Sequence, residues 1–165
     1  GPIALVAAKG KHLKQPDSNV FRILVPVSGS GVSRRGAEVA IALSRTSLVP
    51  MQVIYVATTR DKDSRRAASM SLMHEEAILK DIGVLASRYD VDVHTIMHAG
   101  MSPDAAILRE IRDTRADLVV MGVDRVKGDT LSFGGVAAAV LEKSEVSVLL
   151  VSSGDSETKR SSAAD

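Results

Sequence analysis

The 165-residue sequence contains no cysteine and no tryptophan, and its aromatic content is only 2%. Without cysteine the chain has no disulfide, no thiolate metal site and no thiol nucleophile. Scarce aromatics argue against a platform that stacks nucleic-acid bases. The 21 Lys and Arg nearly balance the 20 Asp and Glu, whereas a general nucleic-acid binder carries a concentrated basic excess. No apolar run approaches the roughly 18 residues that indicate a membrane span.

Hydrophobic residues make up 45% of the chain, which is enough for one compact domain. We predict that this domain covers residues 20–152 and that the polar residues 153–165 form a disordered tail. Residues 1–19 are predicted to be a linker, for which three interpretations stay open. It is an irregular leader, a tag remnant that begins with Gly1-Pro2, or the cytoplasmic exit of a membrane helix, because residues 3–8 are apolar and lysines follow them.

Short β-branched runs alternate with longer amphipathic stretches through the predicted domain. The predicted strands cover residues 20–27, 51–56, 91–97, 118–121 and 146–151, and the predicted helices cover residues 33–45, 69–89, 103–114 and 135–144. This alternation, with near-continuous apolar strands, is typical of a doubly wound parallel α/β sheet. Ligands of such folds bind outside the carboxyl ends of the strands, where the strand order reverses. The candidate site therefore lies in the loops at residues 28–32, 57–67 and 123–133.

The loop after the first predicted strand is rich in glycine and serine, with Gly29 and Gly31 before a helix. A turn of this kind can present backbone N–H groups to a phosphate. The dinucleotide fingerprint G-x-G-x-x-G fails, however, because Arg34 occupies the position of its third glycine. A pyrophosphatase-type loop, S-G-G-x-D-S, is matched only at Ser28, Gly29 and Ser33, and no Walker-type phosphate loop is present.

The four histidines do not predict a metal site. His94 and His98 are four residues apart on a strand, about 13 Å at the usual rise per residue, which is too far for both to bind one ion. His12 belongs to the predicted linker and His74 to the second predicted helix. No Ser/His/Asp set and no carboxylate pair has supporting local context, so we expect no metal and no catalysis.

Several stretches of the chain together resemble the universal stress protein family, over about residues 20–152. They are ILVPVSGS at residues 23–30, the strand that ends in Tyr55-Val56, GMSPDAAI at 100–107, ADLVVMG at 116–122 and VLEKSEVSVLLV at 140–151. The resemblance implies a three-layer α/β sandwich whose five-stranded parallel sheet has the order 3-2-1-4-5. It also implies a homodimer through the last strand, which lies at the sheet edge in the family. The predicted interface residues are Val146, Val148, Leu149, Leu150 and Val151.

Nucleotide-binding members of this family carry Gly-x2-Gly-x9-Gly-[Ser/Thr] after the fourth strand and an aspartate after the first. This sequence keeps the first glycine as Gly122 but has Arg125 at the second, and one residue is missing from the loop that closes with Gly134-Gly135. Gly135 stands where a Ser or Thr is expected, and Ser28 stands where the aspartate is expected. We therefore expect ATP to bind weakly or not at all. The candidate ligands are an adenine nucleotide (ATP or AMP) and cyclic di-AMP.

The resemblance and the expected site at the carboxyl ends of the strands together predict ten ligand-contacting residues: Pro26, Ser28, Val56, Met121, Gly122, Asp124, Arg125, Gly134, Gly135 and Val136. We expect Arg125 to matter most for an anionic ligand, because a guanidinium can form two parallel hydrogen bonds to a phosphate. Arg125→Ala is then expected to weaken binding about tenfold to a hundredfold. If Arg125 is instead a solvated loop charge, its removal changes the affinity by less than about twofold.

Residues 133–139 (FGGVAAA) resemble the closing motif of stress-protein domains appended to bacterial cation/proton antiporters. We therefore predict a regulatory, ligand-sensing domain on the cytoplasmic side of an inner-membrane antiporter, which is not an enzyme and does not bind nucleic acid. One alternative is a free-standing stress-protein dimer that acts as an interaction module. A second alternative, an ATP-using enzyme of the same broad fold, is disfavoured by the altered loop motifs.

Overall fold

The structure, a computed structural model, describes residues 3–7, 20–56, 65–98, 100–124 and 134–152. These residues form one sheet of six strands: β1 (Ile3–Ala7), β2 (Ile23–Val27), β3 (Met51–Tyr55), β4 (Val93–Met97), β5 (Leu118–Gly122) and β6 (Ser147–Ser152). The strand order is β1-β6-β5-β2-β3-β4. Strands β2 to β6 are all parallel, and they confirm the predicted five-stranded sheet with the order 3-2-1-4-5.

Four helices connect these parallel strands: α1 (Gly31–Ser44), α2 (Arg65–Ser87), α3 (Pro103–Asp113) and α4 (Gly135–Lys143). All four were predicted, with ends that differ by a few residues. Helix α1 begins two residues earlier than predicted, because the Ser30 hydroxyl caps it by accepting the N–H of Ser33 at 3.2 Å. Helix α3 begins at Pro103 directly after Ser102, as predicted, since proline at the first helical position gives up no helical hydrogen bond.

The helices cover both faces of the sheet and complete the three layers. Alternate side chains of each strand point to opposite faces, so Val25 and Val53 pack with α1 and α2, whereas Leu24 and Ile54 pack with α3 and α4. All five residues of β2 are buried, as expected for a central parallel strand with both faces covered. Residues 28–30 after β2 and residues 123–124 after β5 therefore follow directly from the packed centre of the sheet.

The sixth strand corrects the prediction that residues 3–7 belong to a linker. Strand β1 pairs antiparallel with β6, from Ile3 opposite Ser152 to Ala7 opposite Val148. Pairing satisfies backbone N–H and C=O groups that β6 would otherwise expose along its outer edge. Residues 3–7 are a strand of this sheet and not the end of a helix. They therefore no longer support the interpretation that the chain leaves a membrane helix here. In the part of the chain that the structure describes, no helix has the length and hydropathy needed to cross a membrane.

The position of β1 also corrects the premise of the predicted dimer interface. Strand β6 is not an edge strand, because β1 occupies its outer side. Of the predicted interface residues, Val148, Leu149, Leu150 and Val151 are buried in the core of their own chain and Val146 packs against that core. Dimerisation through β6 therefore requires β1 to leave the edge.

We expect deletion of residues 1–8 to promote self-association, because it exposes the outer edge of β6 for pairing with a second copy. Light scattering at high micromolar concentration should give a larger mean mass for the truncated chain than for the intact chain. Val6→Lys is the matched control, since the Val6 side chain is 61% exposed and the backbone pairing of β1 does not depend on it. Equal masses for the truncated and intact chains would contradict this role of β1.

Candidate functional site

The main candidate site is a cavity of about 390 Å³ at the carboxyl ends of β2, β3 and β5. It lies at the point where the strand order reverses between β2 and β5, as the fold predicts. The first turns of α1, α3 and α4 complete its wall. Its lining residues are Pro26, Val27, Ser28, Ser30, Val32, Ser33, Val56, Pro103, Ile107, Met121, Gly122, Val123, Asp124, Gly134, Gly135, Val136 and Ala137.

The cavity brings together nine of the ten residues predicted to contact a ligand. The tenth, Arg125, lies outside the described residues. The prediction missed eight lining residues, and for two of them, Pro103 and Ile107 of α3, a signal existed in the sequence. Helix α3 follows β4, so its first turn must also lie at the carboxyl end of the parallel sheet.

The turn between β2 and α1 uses its own serine side chains to satisfy its backbone. The Ser33 hydroxyl accepts the N–H of Ser28 at 2.9 Å, and the Ser30 hydroxyl accepts the N–H of Ser33 at 3.2 Å. The hydroxyls of Ser28 and Ser30 lie 3.4 Å apart. These two N–H groups are therefore already occupied, and the Gly- and Ser-rich turn is a self-capped helix start that offers fewer free donors than its sequence suggests.

Two observations explain why glycine suits position 29 in this turn. Its φ of 81° lies in the left-handed region that other residues rarely adopt. A Cβ at this position would also lie 2.5 Å from Cδ1 of Ile78 and 3.3 Å from Nε2 of His74, both on α2. Helix α2 therefore packs against the turn, outside the lining of the cavity.

At the end of β5, Gly122 allows α1 to cross the strand closely. A Cβ on Gly122 would lie 1.8 Å from the carbonyl oxygen of Val32, and a Cβ on Gly36 would lie 2.6 Å from the backbone nitrogen of Gly122. The next residue is fixed as well, because the N–H of Val123 donates to the carbonyl of Val151 at 2.8 Å. Gly122 thus has a packing role in addition to its place in the cavity wall.

The start of α4 supplies backbone donors to the cavity. Gly134, with φ of 84°, is the N-cap and offers no side chain to the first turn of the helix. Gly135, Val136 and Ala137 follow it, and all three line the cavity. The N–H groups of a first helical turn have no partner within the helix. Together with the helix dipole they make this end of the cavity favourable for an anion.

Among the described residues, one carboxylate lines the cavity and a second directly follows a lining residue in the sequence. Asp124 is exposed and forms part of the wall. Asp104 lies in the first turn of α3, next to the lining residue Pro103, and hydrogen bonding from Ser102 holds the pKa of Asp104 below its ordinary value. Asp104 thus stays ionised to lower pH than a free carboxyl and favours the start of α3.

Histidines and acidic residues do not converge on a metal site in the described ranges, where no group of three or more could hold an ion. Instead, His98 pairs with Glu110 at 2.5 Å between the end of β4 and α3. His94 contacts the side chain of Gln52 on the neighbouring strand at 2.7 Å. These two contacts hold elements of the fold together and lie outside the cavity wall.

The sequence model of the Universal stress protein family matches residues 19–152. The chain belongs to this family. One relative, Universal stress protein MJ0531 of Methanocaldococcus jannaschii, is 29% identical over 138 residues, which cover 79% of this chain and 81% of the relative.

Solved structures of universal stress proteins share this fold. UspA from Lactobacillus plantarum is 14% identical, with a TM-score of 0.66 over 82% of this chain and 99% of that one. A universal stress protein from Archaeoglobus fulgidus in complex with dAMP is 17% identical, with a TM-score of 0.63 over 81% and 99%. A universal stress protein in complex with cAMP is 22% identical, with a TM-score of 0.59 over 81% of this chain and 97% of that one. A family protein from Arabidopsis thaliana with AMP bound is 18% identical, with a TM-score of 0.58 over 88% of this chain and 99% of that one. At these identities the likeness establishes the fold of the chain, while the ligands are those of the other proteins.

Proposed function

We propose that this universal stress protein domain is a non-catalytic sensor of an adenine mononucleotide. The observation that carries the proposal is that one cavity joins an apolar wall from β2, β3 and β5 to the uncapped start of α4. Apolar side chains such as Pro26, Val56 and Met121 suit an adenine ring, which gains from leaving water. The first turn of α4 suits a phosphate.

Three observations favour one nucleoside with one phosphate. The volume of about 390 Å³ lies within the usual range for ligand pockets, roughly 300–1,000 Å³, and is enough for one nucleoside with one phosphate. The N–H groups of Ser28 and Ser33 are occupied, whereas the start of α4 has no side-chain cap, which favours α4 as a place for a phosphate. The nucleotides in the similar structures, dAMP, cAMP and AMP, each carry a single phosphate.

The proposed role is binding rather than chemistry. Among the described residues of the wall, the hydroxyl-bearing groups are serines whose oxygens take part in the self-capped turn, and no histidine lies with them. A bound nucleotide would instead bridge β2, β5 and the start of α4, and would stabilise this edge of the domain by mass action. This difference in stability between the free and the nucleotide-bound domain is sufficient for a sensor.

We expect a thermal-shift series to rank AMP above ATP, and both above cyclic di-AMP. ATP should bind at least about tenfold more weakly than AMP, because its additional phosphates extend beyond the start of α4 and lose hydration there. Adenosine serves as the control without phosphate. A shift for ATP that exceeds the shift for AMP, or release of ADP from ATP without added partners, would contradict the proposed function.

We propose further that the domain regulates a bacterial cation/proton antiporter from the cytoplasmic side. The support is the resemblance of residues 133–139 to the closing motif of antiporter-linked domains; residues 3–7, which form β1, add none. The full gene product tests this proposal, since a transporter should contribute about ten or more apolar segments of membrane-spanning length. A gene product without such segments would favour the alternative, a free-standing stress protein that acts as an interaction module.

A further inference from the structure

A carboxylate lines the cavity that we propose as a nucleotide site. Asp124 is the one charged residue of the wall within the described ranges, and none of the hydrogen bonds or ion pairs of the described residues involves it. The backbone before it is fixed by the bond from Val123 to Val151 and by the close contact of Gly122 with Val32. Strand β5 therefore holds Asp124 at the wall.

This negative charge opposes an anionic ligand wherever the ligand lies in the cavity. A volume of about 390 Å³ is on the order of 10 Å across, which is about one Debye length at physiological ionic strength. Salt therefore screens the repulsion between Asp124 and a phosphate only in part. Because Asp124 is exposed, water reduces the repulsion to a moderate size.

We propose that Asp124 acts as a charge filter, so that the site selects adenine ligands of low negative charge. The inference rests on the proposed function and names the ligand class of the same site. Cyclic AMP carries one negative charge, AMP close to two and free ATP more, so the cost of approaching Asp124 rises in that order. The start of α4 attracts a phosphate and Asp124 penalises each added charge, which together favour cyclic AMP and AMP over ATP.

Asp124→Asn tests the filter, because it removes the charge and keeps the shape of the side chain. Calorimetric titrations at low salt without magnesium should show no change for adenosine and a gain of about twofold for cyclic AMP. The gain should be about threefold to tenfold for AMP and larger for ATP. In 0.5 M salt the ratio of the variant's affinity to the wild-type affinity should approach one for every ligand.

Asp92→Asn is the matched control, since Asp92 directly precedes β4, at the opposite end of the sheet from the cavity. It changes the net charge equally and should leave every affinity within about twofold. A gain that is the same for adenosine and ATP would show a change of shape and overturn the filter. Unchanged affinities for AMP and ATP would overturn it while the proposed function stands. Failure of wild type and variant to bind any of the four compounds would instead overturn the proposed function, and the filter with it.

Discussion

Replacement of Gly122 by alanine is expected to lower the free energy of unfolding by about 3 kcal/mol or more. The added methyl group would clash with backbone atoms, which cannot move aside as a flexible side chain can. The added methyl group would lie 1.8 Å from the carbonyl oxygen of Val32 and 2.8 Å from the nitrogen of Ser33. Neither atom can move unless the start of α1 separates from β5. Urea unfolding followed by circular dichroism measures the loss, which corresponds to a fall in Tm of about 10 °C for a domain of this size.

Two variants accompany this experiment. Gly36→Ala introduces a methyl group on the other side of the same contact, 2.6 Å from the nitrogen of Gly122, and should also destabilise the domain. Gly135→Ala is the control, because a Cβ there meets nothing within 4 Å, and alanine is expected to stabilise the helix by up to about 1 kcal/mol. If the free energy of unfolding of Gly122→Ala is within about 0.5 kcal/mol of the wild-type value, the close crossing of α1 and β5 is wrong.

Gly135→Pro is expected to weaken AMP binding about tenfold or more while the domain stays folded. Proline at the first position of a helix is compatible with helical geometry, since the N–H that it removes has no partner in the helix. In the proposed site that N–H is one of the donors that face the phosphate. The loss of one charge-assisted hydrogen bond, about 1.5–3 kcal/mol, corresponds to roughly tenfold to a hundredfold in affinity.

Gly135→Ala again provides the comparison, because it adds a side chain at the same position and keeps the N–H. Its AMP affinity should stay within about twofold of the wild type in the same calorimetric titration. Equal losses for the alanine and proline variants would show that the side chain blocks the cavity. No loss for the proline variant would contradict a role for the start of α4 in binding phosphate.

The parallel sheet and the place of the cavity were predictable because they depend on repeating patterns. Near-continuous apolar runs such as residues 118–121 predict buried strands, and the amphipathic stretches between them predict covering helices. Once the strands are parallel, their following loops must meet at one edge. Nine predicted ligand-contacting residues line one cavity for this reason, although their contact with a ligand stays a prediction.

The remaining features depend on contacts between distant residues, which a local pattern does not reveal. Strand β1 has five residues, and its partner β6 begins at Ser147, near the other end of the chain. Gly122 fits a nucleotide motif, but the space that a Cβ would need at this position is filled by the carbonyl of Val32 in α1. The serines that suggest a phosphate loop turn out to cap their own backbone, because Ser33 lies within reach of the N–H of Ser28.

The most direct test of the central claim is a titration of the isotope-labelled protein with AMP, followed by the backbone amide signals in an NMR spectrum. A phosphate at the start of α4 should shift the amides of Gly135, Val136 and Ala137 most. The adenine ring should shift the amides of Val56 and Met121, and saturation should give the same dissociation constant at each of these positions. Saturable shifts confined to other parts of the chain, or no shifts at millimolar AMP, would contradict the proposed site.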